Sequence, residues 1–298
     1  MLPVAEVLRL LPAYLHEDNS TVWAMLEIVL GGLSEVMVED EAMYGRFSGV
    51  VAKLLAPLTA AVGWEPRPDD GHLSKMLRGT MVRLLKSFGW RDPAVVVEAR
   101  QRFDAYYADP EDVSTLPSEC ITPVFQIVAR TGGEAEYAKL MELYRRAGSA
   151  AEQKNVFAAL GYAEAPHLKL RTLEWTVDDV KLQDFMYPMV GVVESGKAGM
   201  DVAWHFFQDN LERIRARLAT AVSSLLDKVI VTCCGGFCNA ARVAEVEAFF
   251  ETHPLPHNQR KIAQMLESMK IQSRFLASMA ESPLTTEAFW TDLSSRCL

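Results

Sequence analysis

Apolar side chains recur three and four positions apart along most of this chain, and the strict alternation of a half-buried strand is almost absent. Val22, Met25, Leu26, Val29, Leu30 and Leu33 make one such stripe, with Asn19 and Ser20 ahead of it as capping side chains. Leu73, Met76, Leu77, Leu84, Leu85 and Phe88 make a second, which Gly89 stops. Asp92 followed by Pro93 opens a third helix, because a carboxylate can receive the first free amides and proline has no amide hydrogen to waste there. The breakers between stripes are short: GWEPRPDDG at 63–71, ADPEDVSTLPSE at 108–119, the glycine pair at 132–133 and THPLPHN at 252–258. Together they predict about fifteen helices, mostly antiparallel neighbours. No low-complexity linker divides the chain, and no tetratricopeptide or ankyrin signature repeats. The expected fold is all-α, an irregular α-solenoid or right-handed helical stack.

Composition agrees with an ordinary folded chain. Of 298 residues 50% are hydrophobic and 23% charged, which excludes a disordered chain, and a net charge of −9 offers no broad footprint for a phosphate backbone. Nucleic acid is therefore not an expected partner. Five cysteines, Cys120, Cys233, Cys234, Cys238 and Cys297, form no disulfide framework, and reduced thiols in the cytoplasm fit them best. The opening MLPVAEVLRLLPAYLHEDNS is interrupted by Glu6 and Arg9, so it reads as an amphipathic helix and not a signal peptide. No run of eighteen apolar residues occurs, and no membrane span is expected.

One stretch raises a chemical question. In CCGGFCNAARVAEVEAFFETHPLPH, residues 233–257, the pairs Cys234/Cys238 and His253/His257 have nearly the spacing of a Cys₂His₂ zinc finger. A finger needs its histidines on one helix, yet Pro254 and Pro256 stand between them and break it. The intervening residues instead make a helix with the stripe Ala240, Val243, Val246, Phe249 and Phe250, and its outer face carries Glu245, Glu247 and Glu251 against one Arg242. Buried thiols and solvated loop histidines are the expected outcome. HExxH, GxSxG, GxxxxGK[ST] and GxGxxG are all absent. His16, His72, His167 and His205 are scattered, and lone histidines on helices are commonly structural. Asp178 and Asp179, after Thr176, read as a helix start, and YRRA at 144–147 as a solvated basic face.

Four segments in order carry a resemblance. In EVEAFFETHPLPHNQRKIAQMLESMKIQSRFL, residues 245–276, the pattern Phe249, Phe250, His253, Pro254, Pro256 and Arg260 resembles the end of the puromycin-sensitive aminopeptidases, zinc metallopeptidases of the HExxH-plus-glutamate type. Gln272 and Phe275 stand where that family has Asn and Trp. GMDVAWHFFQDNLERI is similar through Ala203, Trp204, Phe206 and Asn210, with Leu211 replacing a tryptophan. The two remaining segments match through Thr21, Val22, Trp23, Gly63, Trp64, Pro66, Gly71, His72, Leu73, Leu77, Arg78 and Gly79.

The resemblance implies the C-terminal helical domain of such an enzyme, a bowl of armadillo- or HEAT-like helix pairs forming an irregular α-superhelix over a separate zinc-bearing domain. Residues 1–298 would be one helical domain lacking its first helices, with Met1 not a natural start. Its partners would be the upstream catalytic domain of the same polypeptide and peptide substrates. Zinc, its ligands and the general base would lie upstream, so this chain itself holds no cofactor and is expected to be inactive. No catalytic, cofactor-binding, metal-binding or substrate-binding residue is assigned in it. Two other readings remain: a freestanding α-solenoid scaffold for a protein or peptide partner, and a zinc-dependent reader using Cys234 and His257.

Overall fold

Helix starts are written into the sequence as short polar side chains that accept otherwise free amides. The Asn19 side chain accepts from the Thr21 amide at 2.9 Å, Asp40 from Met43 at 2.9 Å, Asp92 from Ala94 at 2.8 Å and Asn239 from Ala241 at 2.9 Å. The computed structural model describes residues 3–112 and 114–297; Met1 and Leu2 of the opening stretch lie outside them.

The helices in order are α1 Val4–Leu8, α2 Ser20–Met37, α3 Glu41–Val62, α4 His72–Leu84, α5 Pro93–Ala108, α6 Ile121–Thr131, α7 Glu134–Arg146 and α8 Ala150–Leu160. They continue with α9 Pro166–Asp178, α10 Met186–Glu194, α11 Lys197–Leu218, α12 Ser223–Cys234, α13 Ala240–Thr252, α14 Gln259–Ala280 and α15 Glu287–Ser295. No strand occurs among the described residues, so the all-α expectation and its count of about fifteen helices both hold. The opening segment is one short helix followed by a 3₁₀ turn, Leu11–Tyr14, instead of a single amphipathic helix. A π turn, Leu85–Gly89, extends α4 to the predicted stop.

The chain packs as two compact units. One runs through Val128 and takes up the residues from Ala277 onward; the other is Ala129–Leu276. In the first, α2 and α3 pack on α4, and α15 packs on α3. Its core includes Trp23, Phe47, Leu54 and Phe103. Phe47 meets Phe88 edge to face at 5.6 Å, and Phe103 meets Phe125 at 5.4 Å. Gly63 ends α3 at φ 68, a left-handed backbone that glycine adopts without strain.

In the second unit α8 and α9 pack on α10, and α11 packs on α9, α10 and α12. Here backbones come very close: a Cβ on Gly161 would lie 2.1 Å from the Val192 amide nitrogen, and one on Gly199 would lie 1.9 Å from the Val192 carbonyl oxygen. Only glycine permits that approach. Tyr144, Phe157 and Trp175 form an aromatic knot between α7, α8 and α9, with centroids 5.0 to 5.7 Å apart.

The predicted stripes are right in existence and partly wrong in phase. On α2 Leu26 and Leu30 are buried as expected, but Trp23 completes the inner face while Met25, Ile28 and Val29 are exposed. Leu73 and Met76 of α4 are exposed as well, while Leu77, Leu84, Leu85 and Phe88 are buried. Among the described residues, α2 and α3 have the length and composition to cross a bilayer, though eight α3 residues are buried in its unit. Thr176, Asp178 and Asp179 correct another reading. They close α9 instead of opening a helix, with the Thr176 hydroxyl donating to the Thr172 carbonyl and Arg213 pairing with Asp178.

Candidate functional site

The finger-like stretch folds as the prolines require. α13 stops at Thr252, and Pro256–Asn258 is a 3₁₀ turn, so His253 and His257 do not share a helix face. His253 stacks on Phe249 with centroids 4.4 Å apart. Cys233, Cys234 and Cys238 are all buried. Burial pushes the Cys233 thiol up to about 12, and that of Cys234 well above its ordinary value. Among the described residues no three His, Cys, Asp or Glu side chains come together to hold a metal. The donor set of the sequence spacing does not fit zinc.

The residues that carry the resemblance turn out to be architectural. Trp204, fully buried in α11, lies 5.2 Å from Phe249 and 6.4 Å from Phe237 between ring centroids. Its indole nitrogen donates to Glu245 Oε1 at 2.7 Å, and Arg242 pairs with Glu245 and with Asp201. Burial pushes the Glu245 carboxyl up, but the indole and Arg242 outweigh it, so its pKa is lowered and it stays ionised. Phe250 is buried beside it, while Phe249 is only partly covered.

In the first unit Arg78 is 1% exposed and pairs with Asp70 and, at 3.2 Å, with Glu119. Gly79 leaves room for Glu119, whose Cβ lies 3.2 Å from where a Gly79 Cβ would stand. Arg102, also buried, joins Glu65 and Glu98 and lies 5.9 Å from the Trp64 ring. These pairs fasten the loop 63–71 and the turn before α6 to α4 and α5. The other histidines are also peripheral: His167 meets Glu134 at 2.9 Å on the surface. YRRA ends α7 with Arg145 and Arg146 exposed, a solvated face as expected.

One cluster was not visible in the sequence. Lys169 in α9, 1% exposed, donates from Nζ to Ser195 Oγ at 2.7 Å and to the Gly161 carbonyl at 3.2 Å. Arg130 reaches the Ser195 carbonyl and lies 5.2 Å from the Tyr162 ring. Desolvation, against the attraction of Glu164 and with repulsion from Arg130, lowers the Lys169 pKa to about 8. A lysine beside a serine is the composition of a Ser-Lys nucleophile, but the protons point the wrong way. Ser195 gives its hydroxyl proton to the Val192 carbonyl at 2.6 Å, and Lys169 donates where a base would accept. The arrangement is a clamp joining α9, the turn after α8 and the turn after α10.

A family model described as the ERAP1-like C-terminal domain matches residues 1–271. The chain belongs to that family. Relatives of this ERAP1-like C-terminal domain include Aminopeptidase M1-B of Oryza sativa subsp. japonica, 26% identical over 285 residues covering 94% of this chain and 32% of that protein. Aminopeptidase M1 of Arabidopsis thaliana is 26% identical over 291 residues, 95% of this chain and 32% of its own. "Aminopeptidase 2, mitochondrial" of Saccharomyces cerevisiae is 24% identical over 271 residues, 90% and 28% respectively. The chain thus spans about a third of the length of the curated relatives it matches. The resemblance read from Phe249, Trp204 and Arg78 is borne out: this is the C-terminal domain type of M1 aminopeptidases.

Within this ERAP1-like domain the Lys169 clamp has a measurable signature. The unfolded lysine titrates near its ordinary 10.5 and the folded one near 8, so between these values the unfolded chain binds more protons. Stability from this group therefore rises with pH across that window, by up to ~3 kcal/mol. Lys169→Met has no titrating group there. The urea unfolding free energy of wild type relative to Lys169→Met is expected to increase by that amount between the two pH values, and a pH-independent difference would show the amine to be solvated.

Proposed function

We propose that the chain is the non-catalytic C-terminal domain of a cytoplasmic zinc aminopeptidase that removes N-terminal residues from peptides, and that it caps and shapes the cavity holding the substrate. The observation that carries this reading is the family match over residues 1–271, joined to relatives that are named aminopeptidases and extend well beyond the part this chain covers. The packing supports it: the family-like residues Trp204 in one unit, and Arg78 and Gly79 in the other, hold helices and loops together within their own unit. The partner is a catalytic portion of the same polypeptide, which supplies the zinc, its ligands and the general base. This domain's contribution is to limit the length of peptide admitted and to take part in opening and closing.

The test is the size of the native protein in its source cells, detected with an antibody raised against this chain. A band far above the mass of the 298-residue chain, copurifying with zinc-dependent cleavage of aminoacyl reporters, is expected. The recombinant chain alone should leave the same reporters intact. A native band at the mass of the chain alone would overturn the reading in favour of a freestanding scaffold.

A further inference from the structure

The first unit carries a groove between α3 and α15 with a volume of about 430 Å³. α15 lies beyond the residues that the family model matches. On the α3 side Gly45 and Gly49 leave the floor bare, since a Cβ at either would meet nothing within 4 Å. Val50 and Trp290 form the inner wall, both nearly fully buried. The Trp290 indole nitrogen is committed to the Leu284 carbonyl at 2.6 Å, so this side chain offers the groove only apolar surface.

Charge is laid out along the groove in a definite order. Arg46 donates to the Thr285 carbonyl at 3.5 Å, and Lys53 donates to Ser294 Oγ at 2.6 Å, so α3 and α15 run in the same direction past one another. Glu287 therefore sits at the Arg46 end, and the Ser294 and Ser295 hydroxyls at the Lys53 end. Among the described residues none of Arg46, Lys53 and Glu287 has an ion-pair partner; the two cations rest on neutral oxygens. Arg67 and Arg217 likewise rest on backbone carbonyls, whereas Arg78, Arg83 and Arg102 each hold a carboxylate; what sets Arg46, Lys53 and Glu287 apart is that all three line one groove. Neither cation is neutralised by a carboxylate of the chain, so each can pair with an anionic group entering the groove.

Seven residues of helix separate Arg46 from Lys53, about 10 Å at 1.5 Å per residue. An extended peptide advances about 3.3–3.6 Å per residue, so three residues span the same length. We infer that this groove binds a short zwitterionic peptide of about three residues, its ammonium group toward Glu287 and its carboxylate toward Lys53 and the Ser294 hydroxyl, the Ser295 hydroxyl being committed to the Asp292 carbonyl at 2.8 Å. Arg46 donates to a peptide carbonyl, and small side chains rest on the bare floor at Gly45 and Gly49. The inference does not depend on the aminopeptidase reading, since it concerns binding to this chain alone and involves no turnover.

The test titrates the 298-residue chain with trialanine, following the assigned Trp290 indole ¹H–¹⁵N resonance and, separately, heat of binding. Saturable binding is expected, with Lys53→Met and Glu287→Gln each weakening it by at least about tenfold. Gly49→Leu should abolish it by filling the floor while keeping the unfolding midpoint, because leucine is the better helix former and has open space there. N-acetyl-trialanine amide, which lacks both charges, should not bind. The inference is overturned by no saturable response from the wild-type chain, by equal binding of the capped peptide, or by full binding in either charge variant.

Discussion

Replacing Trp204 with alanine is expected to lower the unfolding free energy by about 3–5 kcal/mol, the range for removing a large aromatic from a packed core. The ring is fully buried and touches Phe207, Phe237 and Phe249, so the variant leaves a cavity lined by three other rings. It also takes the indole donor from Glu245, which keeps only Arg242. Trp204→Phe separates the two contributions. It keeps most of the volume and loses the hydrogen bond to a charged acceptor, about 1.5–3 kcal/mol. Urea denaturation followed by near-ultraviolet circular dichroism measures both. A neutral Trp204→Ala would mean that α11 does not pack against α13 as described.

Raising the pH from about 9 toward about 12 should cost even more. The Cys120 thiol is pushed up to about 12 by burial, with the Glu119 charge adding to it, and burial alone does the same to Cys233. Both therefore hold their protons in the folded state at pH values where the unfolded chain, titrating near 9.0, releases them. Their contribution to stability is complete below about 9 and is lost through the folded value, up to ~4 kcal/mol for each thiol. Cys234, Cys297 and Tyr137, also raised by burial, act in the same direction, whereas Lys169 opposes it up to 10.5. The Cys120→Ala/Cys233→Ala double variant should make the alkaline limb of the urea stability profile shallower, with the remainder left to Cys234 and Cys297, even though its stability near neutrality is lower. An unchanged limb would show that other groups titrate there.

Local chemistry was the most legible part of the sequence. Asn19 and Asp92 cap helices because capping involves residues two or three positions apart, and Pro254 and Pro256 keep α13 from continuing for equally local reasons. Periodicity lost the phase of α2, since Met25, Ile28 and Val29 make that helix apolar around more of its circumference than its neighbours cover. Thr176 and Asp178 misled because the same polar residues can open a helix or finish one. Buried polar pairs were out of reach: Arg78 meets Glu119 41 positions away, and Arg130 meets Ser195 65 positions away. The α3–α15 groove unites residues some 240 positions apart, as the Lys53 bond to Ser294 at a separation of 241 illustrates. No local pattern encodes such a meeting. What the sequence did carry over distance was resemblance, through Trp204, Arg78, Gly79 and the Phe249–Pro256 turn, and these residues proved to hold the architecture together.

The glycine contacts around Val192 bear on how such a domain can move. Helices separated by layers of side chains slide over one another by small rotamer changes, the usual shear motion of packed helices. At Gly161 and Gly199 there is no such layer, since backbone lies directly against the Val192 backbone, with Lys169 bolting the adjoining turns through Ser195. α8, α10 and the start of α11 therefore behave as one lever arm without internal bearings, and any displacement applied to one of them is delivered undiminished to the others.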